Sequence, residues 1–163
     1  MYNLKLALKG QYHAALDMLK GAIEACPDEL WTSGVPPRSF WRLAYHTLFF
    51  THLYLQLKDE DFVPWELHRD EVESDQERER LDATPYTQAE ILAYWELVDA
   101  MVDPQIDKID LTSAESGFHW YKLPKLDHVI LNMRHVQEHA GQLRDRLLEA
   151  GIDQRWHTRR QLP

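Results

Sequence analysis

The sequence predicts an all-α protein, a four-helix bundle forming one domain over residues 1–163. Apolar residues return at helical spacing in four separate stretches, at alternating steps of three and four in the second and fourth, as in helices that each bury one stripe. No stretch sustains the alternation of a half-buried strand. The 163 residues are enough for a single sizeable core.

The first stretch, Tyr2 to Ala25, sets Leu4, Leu8, Ala15, Leu19, Ala22 and Ile23 at helical spacing among Lys, Gln and Asp, and Cys26-Pro27 ends it. Asp28 to Pro37 carries Gly34 and two consecutive prolines and reads as a loop. Ser39 is the expected cap of a second helix reaching Lys58, with Leu43, His46, Phe50, Leu53 and Leu57 along its seam. His46 is therefore expected to face the core, while His52 falls off the seam and onto the flank.

Asp59 to Pro85 is an acidic run with few apolar residues, too long for an ordinary turn. It reads either as a solvated, mobile connection, with fast amide exchange across 71–82, or as a lid bringing Trp65, Glu66 and His68 to a site. A third helix opens on a capping box, Thr87 with Glu90, and buries Ile91, Leu92, Trp95, Val98 and Met101 until Asp103-Pro104 disturbs it. Asp110 to Leu123 is a loop with Gly117 and the aromatic cluster Phe118, His119, Trp120 and Tyr121.

The fourth helix starts at Lys125, after Pro124, and stops at Gly151. Its seam is Leu126, Val129, Met133, Val136, Ala140, Leu143 and Leu147. The long connection between the second and third helices can cross a whole bundle, so those two need not be antiparallel neighbours.

A net charge of −9, from 27 acidic and 18 basic side chains, repels a phosphate backbone and argues against nucleic acid as the main partner. Arg155, Arg159 and Arg160 form a minor basic tail. Cys26 is the only cysteine, so no intrachain disulfide can form, as suits a cytoplasmic protein. No apolar run resembles a leader or a membrane span, and a membrane partner is not expected.

The chemistry centres on histidine. His135 and His139 are one turn apart on the fourth helix, where their imidazoles can grip one ion from the same side. They border its seam through Val136 and Ala140, and His46 supplies a third neutral nitrogen from a facing helix. Three nitrogens leave coordination positions open, as in a catalytic site; a structural zinc site is usually closed by four ligands and rich in Cys. A histidine on an apolar face is also commonly a hydrogen-bonded core residue, which is the competing reading of His46. His135 to His139 nearly matches an inverted zinc-protease motif with Glu138 as its acid, but Glu138 reads equally as a solvated flank residue.

RHVQEHAGQL, the upstream FWRLAYHTLFF and a length near 160 together resemble the DinB-like (DinB/YfiT) superfamily. The resemblance implies an up-down-down-up four-helix bundle with a metal site, and nitrogen ligands without thiolates suit one divalent ion, zinc or nickel first and iron or copper as alternatives. It maps the ligands onto His46, His135 and His139. It further implies a homodimer and a small-molecule substrate. Some relatives are transferases that activate a low-molecular-weight bacterial thiol, and others are named hydrolases. The functional expectation is thus a metal-dependent transferase or hydrolase, with Glu138 and His68 as candidate acid or base, and His119 and Tyr121 behind them. The alternatives are a stress-response protein that binds a metal or small ligand without turnover, and a bundle whose histidines only fill the core.

Overall fold

A computed structural model describes residues 3–35, 38–73 and 83–161, and among these every regular element is helical. The elements are α1 (Leu4–Ala25), α2 (Asp28–Trp31), α3 (Phe40–Tyr54), a 3-10 turn (Asp59–Asp61), α4 (Asp70–Glu73), α5 (Gln88–Lys108) and α6 (Lys125–Glu149). No helix among the described residues is long and apolar enough to cross a membrane. The chain is all-α, and α5 and α6 each pack against both α1 and α3.

Local chemistry sets the helix limits. Asn3 accepts from the backbone N–H of Lys5 and Leu6, so α1 starts at Leu4. Thr87 and Glu90 form the expected reciprocal capping box of α5. Pro124 leads into α6, and Gly151, at φ 80°, follows its end.

The expected boundaries shift in three places. Residues 28–31 form the short helix α2, whose Trp31 is buried and donates from Nε1 to Tyr86 O at 2.7 Å. The second helix ends at Tyr54, short of Lys58, and Leu57 is exposed. The third helix passes through Pro104 to Lys108. Proline costs one backbone donor there, but burial of Val102 and Ile106 on the same helix holds the last turn against the core.

His52 is not on a flank. It is buried, and its Nδ1 lies 3.1 Å from Tyr94 Oη. The reason is that α3 is enclosed on nearly all sides, with Phe40, Tyr45, Thr47, Leu48 and Thr51 all buried, and its least buried stripe is His46, Phe49 and Phe50, the side expected to be the seam.

The described part of the acidic connection is anchored. Trp65 is buried and stacks on Tyr94, with ring centroids 4.5 Å apart and planes 3° from parallel. Val72 and Tyr86 are buried too, and Tyr86 Oη donates to Leu67 O at 2.7 Å. Of the segment expected to exchange fast, 74–82 lies outside the described residues.

Candidate metal centre

The α3 and α6 helices face one another, and their histidines meet between them. His46 stands on α3, one turn before Phe50; His135 and His139 stand on successive turns of α6. The three ligand atoms all lie within 4.8 Å of one another, close enough to hold a metal ion. Nε2 of His46 and Nε2 of His135 are 3.3 Å apart. Two nitrogens at about 2.0–2.1 Å from a tetrahedral zinc would stand about 3.3 Å apart, so this pair is already at coordination spacing. The set as a whole is a little wider, and side-chain rotation would draw it in.

The surroundings suit neutral imidazole. All three histidines are half-buried. The His46 ring packs on Phe50, with centroids 4.7 Å apart, and Phe50 also meets the edge of His135 at 5.9 Å. Burial, with the neighbouring His139 and His46 adding, pushes the His135 imidazole down to about 3. Burial likewise holds His139 below the ordinary range, outweighing the raising effect of Gln142. At neutral pH both rings therefore keep the lone pairs that a metal requires.

Gln142 was missed by the sequence reading. Its Oε1 accepts from His139 Nδ1 at 2.9 Å, which leaves Nε2 of His139 as the ligand nitrogen. The i+3 spacing from His139 could have flagged it. His135 Nδ1 and Asn132 Oδ1, three residues apart on one face of α6, are both buried without a hydrogen-bond partner among the described residues. Replacing Gln142 with Leu should weaken metal binding by about ten- to a hundredfold while leaving the fold intact, since outer partners of ligating histidines carry effects of that size. Isothermal titration with zinc checks this, and an unchanged affinity would remove Gln142 from the site.

The other candidates are dispersed. Glu138 is exposed beside His139, and its charge favours the protonated form of that ring. His68 belongs to a different cluster: its Nδ1 is 2.5 Å from Tyr45 Oη, and its Nε2 is 3.2 Å from Asp70 Oδ1. Trp65 is committed to Tyr94, and Glu66 is exposed. His119 and Tyr121 line a separate cavity of about 550 Å³ formed by residues 58–60 and 114–123, and none of the three clustered histidines borders it. There His119 Nδ1 is 2.6 Å from Asp59 Oδ2.

Comparison with protein-family models, with curated proteins and with solved structures finds no match to this chain.

Proposed function

We propose that this protein is a DinB-like, up-down-down-up four-helix bundle that uses His46, His135 and His139 to hold a divalent ion, zinc or nickel before iron or copper, and acts as a metal-dependent transferase or hydrolase. The observation that carries this reading is the convergence of three imidazoles from two facing helices into a group that has no fourth member among the described residues. Three nitrogen ligands leave room for a substrate atom or water. Such an ion polarises a thiol or carbonyl, or lowers the pKa of bound water towards neutrality.

The chain's own groups have distinct tasks in this scheme. Phe50 walls one side of the cluster and limits water there. Gln142 fixes the tautomer of His139. Glu138, exposed and next to His139 in the chain, is the group proposed to take or give a proton. The substrate class is a small molecule, with a low-molecular-weight thiol as the first to test.

A second reading, metal or ligand storage without turnover, draws on a specific observation. His68 has both ring nitrogens engaged by Tyr45 and Asp70, which leaves Glu138, whose charge acts on His139, as the sequence-predicted acid or base beside the cluster. Elemental analysis of the purified, untagged protein tests the common part of both readings. About one equivalent of metal per chain is expected, and a protein that holds none after exposure to Zn, Ni, Fe or Cu would overturn them. Consumption of a small thiol by the metal-loaded protein, lost in Glu138→Gln, would favour catalysis over storage.

A homodimer is part of the proposal. Trp31, Trp41, Trp65 and Trp95 are buried within one chain, so Trp120 and Trp156, both exposed, are the tryptophans left to seek a partner. Sedimentation at micromolar concentration should report twice the chain mass.

A further inference from the structure

We propose that the C-terminal segment, residues 154–161, is a latch closed over α1 and α5, and that a proton on His13 releases it. The segment crosses α1 closely: Arg160 N–H donates to Gly10 O at 3.1 Å, and Gln11 Nε2 donates to Thr158 O at 3.2 Å. A Cβ at Gly10 would fall 2.6 Å from Arg159 Nε, so glycine permits the approach. Most of the segment is exposed, Trp156 at 61%. Arg144 of α6 donates to Gln154 O at 2.7 Å at the start of the segment, and near its end the Arg160 guanidinium grips Asp17 through Nε and Nη2 and donates from Nη1 to Asp99 Oδ2 at 2.7 Å. The same guanidinium lies over the Trp95 ring, 5.7 Å from its centroid.

His13 sits beneath this grip, 5% exposed. Its Nε2 is 3.1 Å from Asp103 Oδ1. Its Nδ1 is 2.7 Å from Asp99 Oδ1 and also 2.8 Å from Arg160 Nη1. One nitrogen cannot satisfy both neighbours, because a carboxylate only accepts and a guanidinium only donates. Neutral His13, with its proton on Nε2, gives that proton to Asp103 and offers the Nδ1 lone pair to Arg160. Protonated His13 donates to Asp103 and Asp99 together and sets an N–H against Arg160. The proton thus decides which neighbour Nδ1 serves and whether a second positive charge stands against Arg160, whose bonds to Asp17 and to Asp99 Oδ2 do not involve that nitrogen.

Linkage makes the effect reciprocal: the Arg160 charge disfavours the His13 cation, so the His13 cation must weaken Arg160 by the same factor. Burial depresses the His13 pKa, but Asp99 and Asp103 outweigh it and leave the net shift upward. Release therefore falls above the ordinary histidine value of about 6.5. A raised pKa also means that the folded chain holds this proton more tightly than the unfolded one, so the body of the fold gains stability as pH falls through this window. The latch opens while the helices hold.

The neighbouring charges are few enough to control. Asp17, Lys9 and Lys20 stand near the cluster on α1, Asp99, Asp103 and Asp107 on α5, Arg144 on α6, and His157, Arg159 and Arg160 on the segment itself. Lys9 is occupied by Asp107 at 2.8 Å. His157 Nδ1 is 4.0 Å from Asp17 Oδ2, so its protonation would tighten the segment, opposite in sign to His13.

Hydrogen exchange on the full chain tests the proposal. Protection factors across 154–161, the Arg160 amide above all, should drop by on the order of tenfold between about pH 8 and about pH 5.5, while α1 and α5 keep theirs. His157→Gln should preserve the drop, and His13→Gln, neutral throughout, should abolish it. Protection that does not change with pH, or an equal drop in His13→Gln, would overturn the latch. Should His13→Gln fail to fold, Arg160→Gln on the exposed segment decides: the imidazole titration of His13, followed by NMR, should move upward, and an unmoved midpoint would refute the coupling.

Discussion

His46→Ala is expected to weaken metal binding by more than about a hundredfold, beyond the ten- to hundredfold cost of losing an outer partner of a ligand. The variant removes the only donor of the cluster that α3 provides. The α6 pair alone holds an ion from one side, and the missing nitrogen must be replaced by solvent. Helix content should stay unchanged, because Leu43, Ala44, Thr47 and Leu48 remain to bury that stretch of α3. The parent protein should also lose stability on chelation: an ion present at a hundred times its dissociation constant adds about 2.7 kcal/mol to the native state. For a chain of this size that is a fall in Tm of roughly 5–10 °C. Calorimetry with and without chelator measures it, and His46→Ala should show no such fall. Intact affinity in His46→Ala, together with its loss in His135→Ala, would reduce the centre to the α6 pair.

Gly117→Ala should destabilise the protein by about 3 kcal/mol or more, the sum of backbone strain and a steric clash. Gly117 has φ 86°, a region other residues adopt at a cost, and an added Cβ would fall 2.2 Å from Leu57 O. Backbone atoms cannot yield there. Gly117 O already accepts from Asp59 N–H at 3.1 Å, and the buried Lys125 ammonium ties both sides of the crossing, donating to Leu57 O at 2.8 Å and Ser116 O at 2.5 Å. Urea unfolding checks the prediction through the midpoint at unchanged slope. Because the crossing is separate from the histidine cluster, metal affinity should survive the substitution, and a midpoint equal to the parent's would show that the 57–60 and 114–123 segments give way freely.

Much of the helical framework was legible because it is written in local chemistry. The Thr87 and Glu90 capping box, the Pro124 start and Gly151 end of α6, and the buried positions Val129, Val136, Ala140, Leu143 and Leu147 all follow from spacing and capping. The failures share one cause, which is packing by distant segments. Periodicity puts His52 on a flank because it knows one buried stripe per helix, and nothing near it in sequence announces that Tyr94 approaches from the far side. Trp65 and Val72 lie in a charge-dense run whose composition looks solvated, yet Trp65 finds its stacking partner 29 positions away, in Tyr94. Pro104 was expected to disturb its helix, and the burial of Val102 and Ile106 carried the helix past it.

The sequence by itself determined which residues could be ligands and on which helices they would stand, because the i and i+4 spacing of His135 and His139 and the place of His46 within a helix are properties of single helices. Tertiary structure decided that these helices face one another, that the His46 and His135 nitrogens stand 3.3 Å apart, and that Gln142 orients His139. It alone brought His13, Asp99 and Arg160 together, residues separated by 86 and 61 positions along the chain. Helix periodicity reaches about four residues, whereas a coordination site or an ion cluster depends on which faces meet across the core, and that choice is made by the burial of all the seams at once.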